Sequence, residues 1–337
     1  MKLTEIRALD FDLATTLNSG QVFHWEKLGD GFIGAIGDRP VYVEQRGDSL
    51  LTNCEDEKLI RNYFALDHPL AEICASFPVD PVMGAAKEFC RGLRIVRQPK
   101  WECLATFICS SMKQVAHIRQ ISRSLRERFG EVRKTELPCS IENADGGSAA
   151  PRAMIEFGRL RRRRINIEQG TARSTNNYVV QTFPSAERVA QSSENELRKR
   201  GLGYRAKNLL ASARLVASGD VNLEKLAVLT DLDLRARLCE LPGVGSKVAN
   251  CVMLFAYERL RAFPIDVWIE RVLREKYFPR ARKLNAARLQ AFTEGYFGDH
   301  GGYAQQYLFH HARKTARRSR TIGSTRSKRR RLSQSRV

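Results

Sequence analysis

The sequence predicts an α+β fold that is mostly helical, in which an N-terminal antiparallel sheet precedes a larger helical region. Between Val22 and Cys54, short β-rich runs are separated by glycine-containing turns at regular spacing, a pattern typical of an antiparallel meander. From Pro184 onward, nearly every segment has helical periodicity. A chain of 337 residues is long enough for two domains.

Helical segments follow the meander along the chain. Before residue 131 we expect helices at 58–66, 81–92, 101–111 and 115–129. Farther on, Ser185 can cap the start of another helix. We expect this helix to end at Gly201, because cations at Arg198-Lys199-Arg200 followed by a glycine are typical of a helix C-terminus.

Two basic segments lack a sustained period. Residues at about 131–180 contain an arginine run at 161–164, and their composition predicts a partly disordered insertion, with a DNA-contacting loop as the alternative. Residues 312–337 hold eleven lysines and arginines and no acid. We expect a disordered basic tail that acts as a nonspecific DNA tether, as a nuclear localisation signal or only as a solubilising end.

The charge balance indicates a polyanionic partner. The chain has 57 Lys and Arg against 37 Asp and Glu, a formal net charge of +20, which favours nucleic acid over a membrane. No signal peptide or long apolar run is present, so we expect an intracellular protein. Eight cysteines form no C-x-x-C pair and six histidines show no metal-ligand spacing. We therefore expect reduced cysteines, no metal and no cofactor.

The most informative stretch is L-P-G-V-G-S-K at 241–247. A short helix ends at Cys239-Glu240, a hairpin of Gly243, Val244 and Gly245 follows, and a second helix begins at Ser246. The hairpin amides and the helix start can bind a phosphate. The alternative is an ordinary helical hairpin with a solvated lysine.

Two polar residues follow this hairpin. Lys247 lies in the first turn of the second helix, where a cation is disfavoured. In a dry cleft its amine would be neutral, and a neutral lysine amine is a nucleophile that can form a Schiff base. Asp266 lies beyond the helix, after a proline, and the hairpin, the lysine and this carboxylate together suggest chemistry on nucleic acid. Asp266 can also cap the next helix.

The stretch resembles the helix-hairpin-helix DNA glycosylase superfamily and, within it, the 8-oxoguanine DNA glycosylases. Further blocks similar to that family occur in the family's order and span most of residues 1–311: Ser19-Gly20-Gln21, Glu102-Cys103, Gly201-Leu202-Gly203-Tyr204-Arg205-Ala206 and Tyr303-Ala304-Gln305. The resemblance implies an N-terminal antiparallel sheet domain with flanking helices at 1–110. It implies a helical helix-hairpin-helix glycosylase domain at 111–311, followed by the tail at 312–337.

The resemblance also implies a bifunctional enzyme of base-excision repair. Lys247 matches the family's catalytic lysine, which attacks the anomeric carbon of deoxyribose and expels the base. The resulting Schiff base allows β-elimination, which is the lyase activity. Asp266 matches the family's catalytic aspartate, whose carboxylate can stabilise the positive charge that develops on the sugar as the glycosidic bond breaks. The target base must leave the duplex before its glycosidic bond can be reached.

Four further residues match the family's base pocket. Gly20 matches the glycine whose carbonyl accepts the N7 proton of 8-oxoguanine, which guanine lacks. Gln305 matches the glutamine that reads the pairing edge. Phe309 and Cys251 match the two faces that sandwich the base.

The DNA-contacting positions match the family only in part. Tyr204 matches the wedge residue, and Arg205 matches one arginine that reads the opposite cytosine. His117 stands where the second such arginine is expected, and Met112 follows the serines in place of asparagine. Trp268 and Ala312 replace a histidine and an acid that interact in eukaryotic members. These departures put selectivity for the opposite base in doubt.

We weigh three functions: an 8-oxoguanine glycosylase and lyase, an alkylated-base glycosylase of the same fold, and a non-catalytic DNA-binding protein. An alkylated-base glycosylase normally lacks the lysine, so Lys247 counts against that function. A non-catalytic DNA-binding protein does not need both Lys247 and Asp266, so the presence of both counts against that one. The expected partner is damaged double-stranded DNA, without a membrane, and the expected state is a monomer. The expected location is the cytoplasm or nucleoid in a bacterium and the nucleus in a eukaryote.

Overall fold

The computed structural model describes residues 2–111, 113–141, 175–281 and 283–316. The predicted fold class is confirmed: a mostly helical α+β chain with a five-stranded antiparallel sheet near its N-terminus. The predicted DNA contact at Met112, the arginine run at 161–164 and most of the basic tail lie outside the described residues.

The N-terminal sheet has the strand order β1-β5-β4-β3-β2. Its strands are β1 Thr4–Arg7, β2 Glu26–Leu28, β3 Gly31–Ile36, β4 Arg39–Arg46 and β5 Ser49–Thr52. The turns of the three hairpins begin at Gly29, Gly37 and Gly47. Each of these residues has a positive φ, which glycine adopts without steric cost. The meander was therefore predicted correctly. The sequence pattern missed β1, which pairs with β5 through Ile6 and Leu50.

A second, two-stranded sheet occupies both ends of the segment at about 131–180 that was predicted to be a partly disordered insertion, while residues 142–174 of that segment lie outside the described residues. Val132–Pro138 (β6) and Thr175–Gln181 (β7) form an antiparallel ladder. Tyr178 and Val180 pack against a small core that contains Ile33, Tyr42 and Leu137. Along β6, exposed side chains alternate with partly buried ones, and both sets are largely polar. The sequence therefore lacks the apolar alternation that would have predicted this strand.

The helices come in order around and after these sheets. Before β6 they are α1 Leu13–Asn18, α2 Glu57–Tyr63, α3 Leu70–Ala75, α4 Pro81–Phe89, α5 Lys100–Ser110 and α6 Val115–Phe129. After β7 they are α7 Ala186–Ala190, α8 Glu194–Leu197, α9 Arg205–Ala217, α10 Asp231–Cys239, α11 Ser246–Ala256, α12 Val267–Val272, α13 Ala286–Phe297 and α14, residues 301–316. Short 3-10 turns occupy Cys139–Ile141, Lys225–Val228 and Gly298–His300, and π turns occupy Arg198–Leu202 and Leu273–Tyr277.

Helices α2 and α4 end at Tyr63 and Phe89, three residues before the predicted ends, and two further helical boundaries differ from the sequence prediction. Ser185 caps α7 as expected, but the chain bends between α7 and α8 because Ser193 begins a new helix with a capping box. The predicted tail at 312–337 also begins too early, since residues 312–316 continue α14.

The apolar side chains form two large cores. One lies under the N-terminal sheet and includes Ile6, Val41 and Tyr63. The other unites α3, α4 and α5 with the helices that follow β7. The predicted domain boundary at residue 110 thus does not coincide with the division between the cores.

A buried ionic cluster joins the sheet to the helices. Glu102 of α5 accepts from Arg126 of α6 and lies 3.3 Å from the His24 ring nitrogen Nδ1, while the other ring nitrogen of His24 meets the Ala35 carbonyl at 2.9 Å. Burial lowers the pKa of His24 well below its usual value, and the nearby charge of Arg126 lowers it further. Burial raises the pKa of Glu102, which Arg126 opposes.

The neutral state of His24 makes stability depend on pH. Because its folded-state pKa is depressed, its contribution is complete above about pH 6.5 and is lost as the pH falls toward the folded-state pKa, by at most about 1.4 kcal/mol per pH unit. We expect urea unfolding between pH 7.5 and 5 to show a shallower loss in His24→Gln than in the wild type. Some slope remains, since the pKa of His310 is also lowered, to about 4. His117→Gln, at an exposed site, is the control; an unchanged slope in His24→Gln would contradict the assignment.

Candidate active site

The site begins at the hairpin between α10 and α11. Gly243 has a φ of +83°, and a Cβ there would lie 2.8 Å from the side chain of Asn208. Val244 is buried, whereas Gly245 is exposed. The hairpin therefore packs through Val244 on one side and leaves backbone amides near Gly245 accessible to a phosphate.

Lys247 lies one residue inside α11, and its amine faces the end of α5. Nζ donates to Ser110 Oγ at 3.0 Å and lies 5.2 Å from the centre of the Phe107 ring. The side chain is half-buried, and Ser110 is buried. Sequence reasoning did not single out Ser110 and Phe107 as neighbours of the lysine; their spacing of three on a buried helix was the available signal.

Asp266 is the N-cap of α12, as the structural alternative predicted. Its Oδ1 accepts from the backbone amides of Trp268 at 3.0 Å and Ile269 at 2.9 Å. Burial raises the pKa of the carboxyl, against the lowering effect of these amides and of the positive charges of Lys247 and Arg313. The site therefore holds a desolvated carboxylate in the electric field of two cations.

The predicted base-pocket residues come from three segments. Gly20 follows α1 with a φ of +96°, and a Cβ there would lie 3.0 Å from Phe309 Cε1. Gln305 is buried, and its Oε1 has no hydrogen-bond partner among the described residues. Gln305 and Phe309 are one turn apart on α14.

Cys251 lies one turn after Lys247 on α11. Burial raises the pKa of its thiol to about 11, and the charge of Lys247 opposes this rise. Phe309 packs against the same apolar core that contains Cys251. The structure thus brings the lysine, the aspartate and the four base-pocket residues into one region between α5, α11 and α14.

The predicted DNA contacts differ in exposure. His117 is exposed, and the Tyr204 side chain is 59% exposed. Arg205 is buried under Tyr204, with its Nε 2.7 Å from the Ser111 carbonyl. A base contact by Arg205 would have to replace this bond, so that role stays a prediction.

Trp268 is half-buried at the start of α12. The Arg271 guanidinium lies 5.5 Å from the centre of its ring. Whether Trp268 fills the place of the family's polar pair stays a prediction.

Within the described ranges, no group of three or more His, Cys, Asp or Glu side chains could hold a metal ion. None of the eight cysteines, all of which lie within the described residues, forms a disulfide bond. None of the helices that the structure describes is long and apolar enough to cross a bilayer.

Comparisons with known proteins agree with this geometry. Residues 4–104 match the family model described as 8-oxoguanine DNA glycosylase, N-terminal domain. The N-glycosylase/DNA lyase OGG1 of Arabidopsis thaliana is 29% identical over 330 residues, covering 92% of this chain and 78% of that protein.

Two solved structures are similar over nearly the whole chain. MBOgg1 in complex with a low affinity DNA ligand has 30% identity and a TM-score of 0.76, covering 94% of this chain and all of that one. The Clostridium acetobutylicum 8-oxoguanine glycosylase/lyase, bound to double-stranded DNA with cytosine opposite 8-oxoguanine, has 25% identity and a TM-score of 0.76, covering 94% and 96%. The chain belongs to the 8-oxoguanine DNA glycosylase family of the helix-hairpin-helix superfamily.

Proposed function

We infer that this chain is a bifunctional DNA glycosylase and lyase that removes 8-oxoguanine from duplex DNA in base-excision repair. The observation that carries this inference is the position of Lys247, whose amine is fixed by Ser110 near the half-buried carboxylate of Asp266. Family membership supports the same reaction, and the net charge of +20 suits a DNA substrate.

The lysine supplies the nucleophile. A bond forms between Nζ and C1′ of deoxyribose while the bond from C1′ to N9 of the base breaks, and the base leaves with the electron pair and takes up a proton. Opening of the sugar gives a Schiff base between Nζ and C1′. Loss of a C2′ proton then expels the 3′ phosphate by β-elimination, and hydrolysis of the imine releases the lysine.

Asp266 acts on charge and on a proton. Its carboxylate stabilises the positive charge that develops on the sugar as the glycosidic bond breaks. The raised pKa makes it a better acceptor for the ammonium proton of Lys247 than an ordinary carboxylate. Its hydrogen bonds to α12 fix its orientation during both roles.

The base is read by the pocket on α14 and the turn at Gly20. The Gly20 carbonyl accepts the N7 proton of 8-oxoguanine and rejects guanine, whose N7 is itself an acceptor. The free Oε1 of buried Gln305 is suited to the pairing edge. Phe309 and Cys251 supply the two faces, while Tyr204 enters the vacated site in the duplex.

We further propose that the protein acts as a monomer inside the cell without a cofactor. The hairpin amides around Gly243, Val244 and Gly245 bind a DNA phosphate. Trp268 lies beside the same cleft.

The lysine is tested by trapping. With an 8-oxoguanine duplex and borohydride, wild-type protein should give a covalent adduct on a denaturing gel, because reduction fixes the Schiff base. Lys247→Ala should give none, whereas Lys58→Ala, at an exposed site on α2, should give the wild-type amount. An undiminished adduct in Lys247→Ala would refute Schiff-base chemistry at this residue.

The aspartate is tested by a substitution that retains the cap. Asparagine caps helices as well as aspartate does, so Asp266→Asn should fold normally while single-turnover excision falls by roughly 10²–10³-fold. Because burial raises the Asp266 pKa, the acid limb of the wild-type rate should lie above the usual carboxyl pKa and be missing in the variant. Asp56→Asn, at the N-cap of α2, is the matched control. Equal rates for Asp266→Asn and wild type would exclude the role.

Selectivity for the opposite base should be weak. His117 replaces one expected arginine and Arg205 is bonded to Ser111, so we expect excision rates opposite C, A, G and T to differ by less than about tenfold. His117→Arg should raise the preference for cytosine, and Ala116→Arg, at the exposed neighbour, should not. A strong cytosine preference in the wild type would contradict this reading.

A further inference from the structure

Helix α14 carries a second set of polar side chains beside the base-pocket residues. Arg313 Nη2 donates to the Asn18 carbonyl at 2.7 Å, and Gln306 Nε2 donates to the Ser19 carbonyl at 3.3 Å. The ring of His310, on the same face of the helix, is buried, and its Nδ1 has no hydrogen-bond partner among the described residues. These carbonyls end α1, where a helix leaves acceptors unsatisfied and favours cations.

The turn at Gly20 is held from its other side as well. Gln98 Nε2 donates to the Gln21 carbonyl at 2.8 Å. The Gln21 side chain donates to the Arg94 carbonyl and accepts from the Val96 amide, each at 2.8 Å. The carbonyls of residues 18, 19 and 21 therefore each accept a side-chain hydrogen bond.

The carbonyl of Gly20 is the exception in this turn. No hydrogen bond from another described residue reaches it. With both flanking segments fixed, this one acceptor is available to a ligand in a defined direction.

Arg313 also packs directly on the pocket. Its guanidinium lies 5.2 Å from the centre of the Phe309 ring, and its Nη1 would lie 3.1 Å from a Cβ on Gly20. Phe309, Gly20 and Arg313 therefore form one packed unit.

We propose that Gln306 and Arg313 are positioning residues that set selectivity for 8-oxoguanine by fixing the Gly20 carbonyl relative to Gln305 and Phe309. The proposal rests on the proposed function. Residues 305 and 309 share one face of α14, and residues 306, 310 and 313 share the adjoining face. One helix thus fixes the distance between the reader of N7 and the reader of the pairing edge. Discrimination between 8-oxoguanine and guanine by a single hydrogen bond requires a fixed distance, because a shift of about 1 Å can lower the rate by about 10²-fold.

The test compares two substrates that differ only in the need to read a base. Gln306→Leu and Arg313→Met remove the donors and keep most of the side-chain volume, while Arg313→Lys keeps the charge without the planar stack. His311→Ala, on the same helix against Phe89, is the matched control. Single-turnover rates are measured on an 8-oxoguanine duplex and on a duplex with a preformed abasic site, and thermal unfolding is measured for each variant.

We expect Gln306→Leu and Arg313→Met each to slow excision of 8-oxoguanine by about tenfold or more, with Arg313→Lys between them and the wild type. In Gln306→Leu and in Arg313→Lys, which keeps the positive charge near Asp266, strand cleavage at the abasic site should stay within about twofold of wild type, since it needs Lys247 and Asp266 but no base reading. In Arg313→Met, the fall in rate on 8-oxoguanine should exceed any fall on the abasic site. In the Lys247→Gln background, each substitution should also lower the ratio of affinities for 8-oxoguanine and guanine duplexes.

Three results would overturn the proposal. Wild-type excision in Gln306→Leu and Arg313→Met would show that the hydrogen bonds of these side chains to the Ser19 and Asn18 carbonyls are not needed. An equal fall on both substrates would show that the substitutions act through the fold or through the charge at Asp266. A wild-type protein that cleaves abasic sites but leaves 8-oxoguanine in place would refute the proposed substrate, and this proposal with it.

Discussion

The site depends on the packing of α5 against α11. Both helices are buried along nearly their whole length, and the Phe107 and Phe255 rings stack with centres 5.4 Å apart and planes 10° apart. A helix buried on all sides cannot slide without opening cavities in a close-packed interior. The ends of these two helices carry Ser110 and Lys247, so the core itself fixes the amine. The apolar contacts between α5 and α11 take no part in the reaction, but they offset the free energy that is lost when a lysine is held in a half-buried position.

Asp266 shows how one side chain meets a structural and a chemical demand. A carboxylate that caps a helix has a fixed orientation, but amide donors alone would lower its pKa and weaken it as a base. Here burial outweighs the two amides and the two nearby cations, and the pKa is raised. The carboxylate is therefore oriented by α12 while it keeps its basicity. The structural interpretation of Asp266 as a helix cap and its catalytic interpretation are therefore compatible.

The sequence predicted those features that local pattern determines. Val115–Phe129 has the helix bounds that its period indicated, and glycine turns located the meander. Features that need a distant partner were missed: β1 has four residues and is recognisable only through its pairing with β5, and β6 only through β7. Arg313 was read as part of a charged tail, because its acceptor is a backbone carbonyl 295 positions away, and a carbonyl leaves no mark in the sequence. For Arg205, the family motif identified the residue, but the sequence does not show that its guanidinium is hydrogen-bonded to the Ser111 carbonyl.

In the proposed function, base selectivity also depends on contacts far from the base. Near its start, α14 is held by the Tyr303 hydroxyl, which lies 2.7 Å from the His68 ring, and by Tyr307, which donates to the Leu93 carbonyl at 3.0 Å. Near its end, Arg313 holds it to Asn18. Gln305 and Phe309 lie between these anchors, so the helix cannot tilt at the pocket without breaking bonds at one end. A pocket that must distinguish a proton from a lone pair at one atom needs such rigidity more than it needs additional contacts to the base.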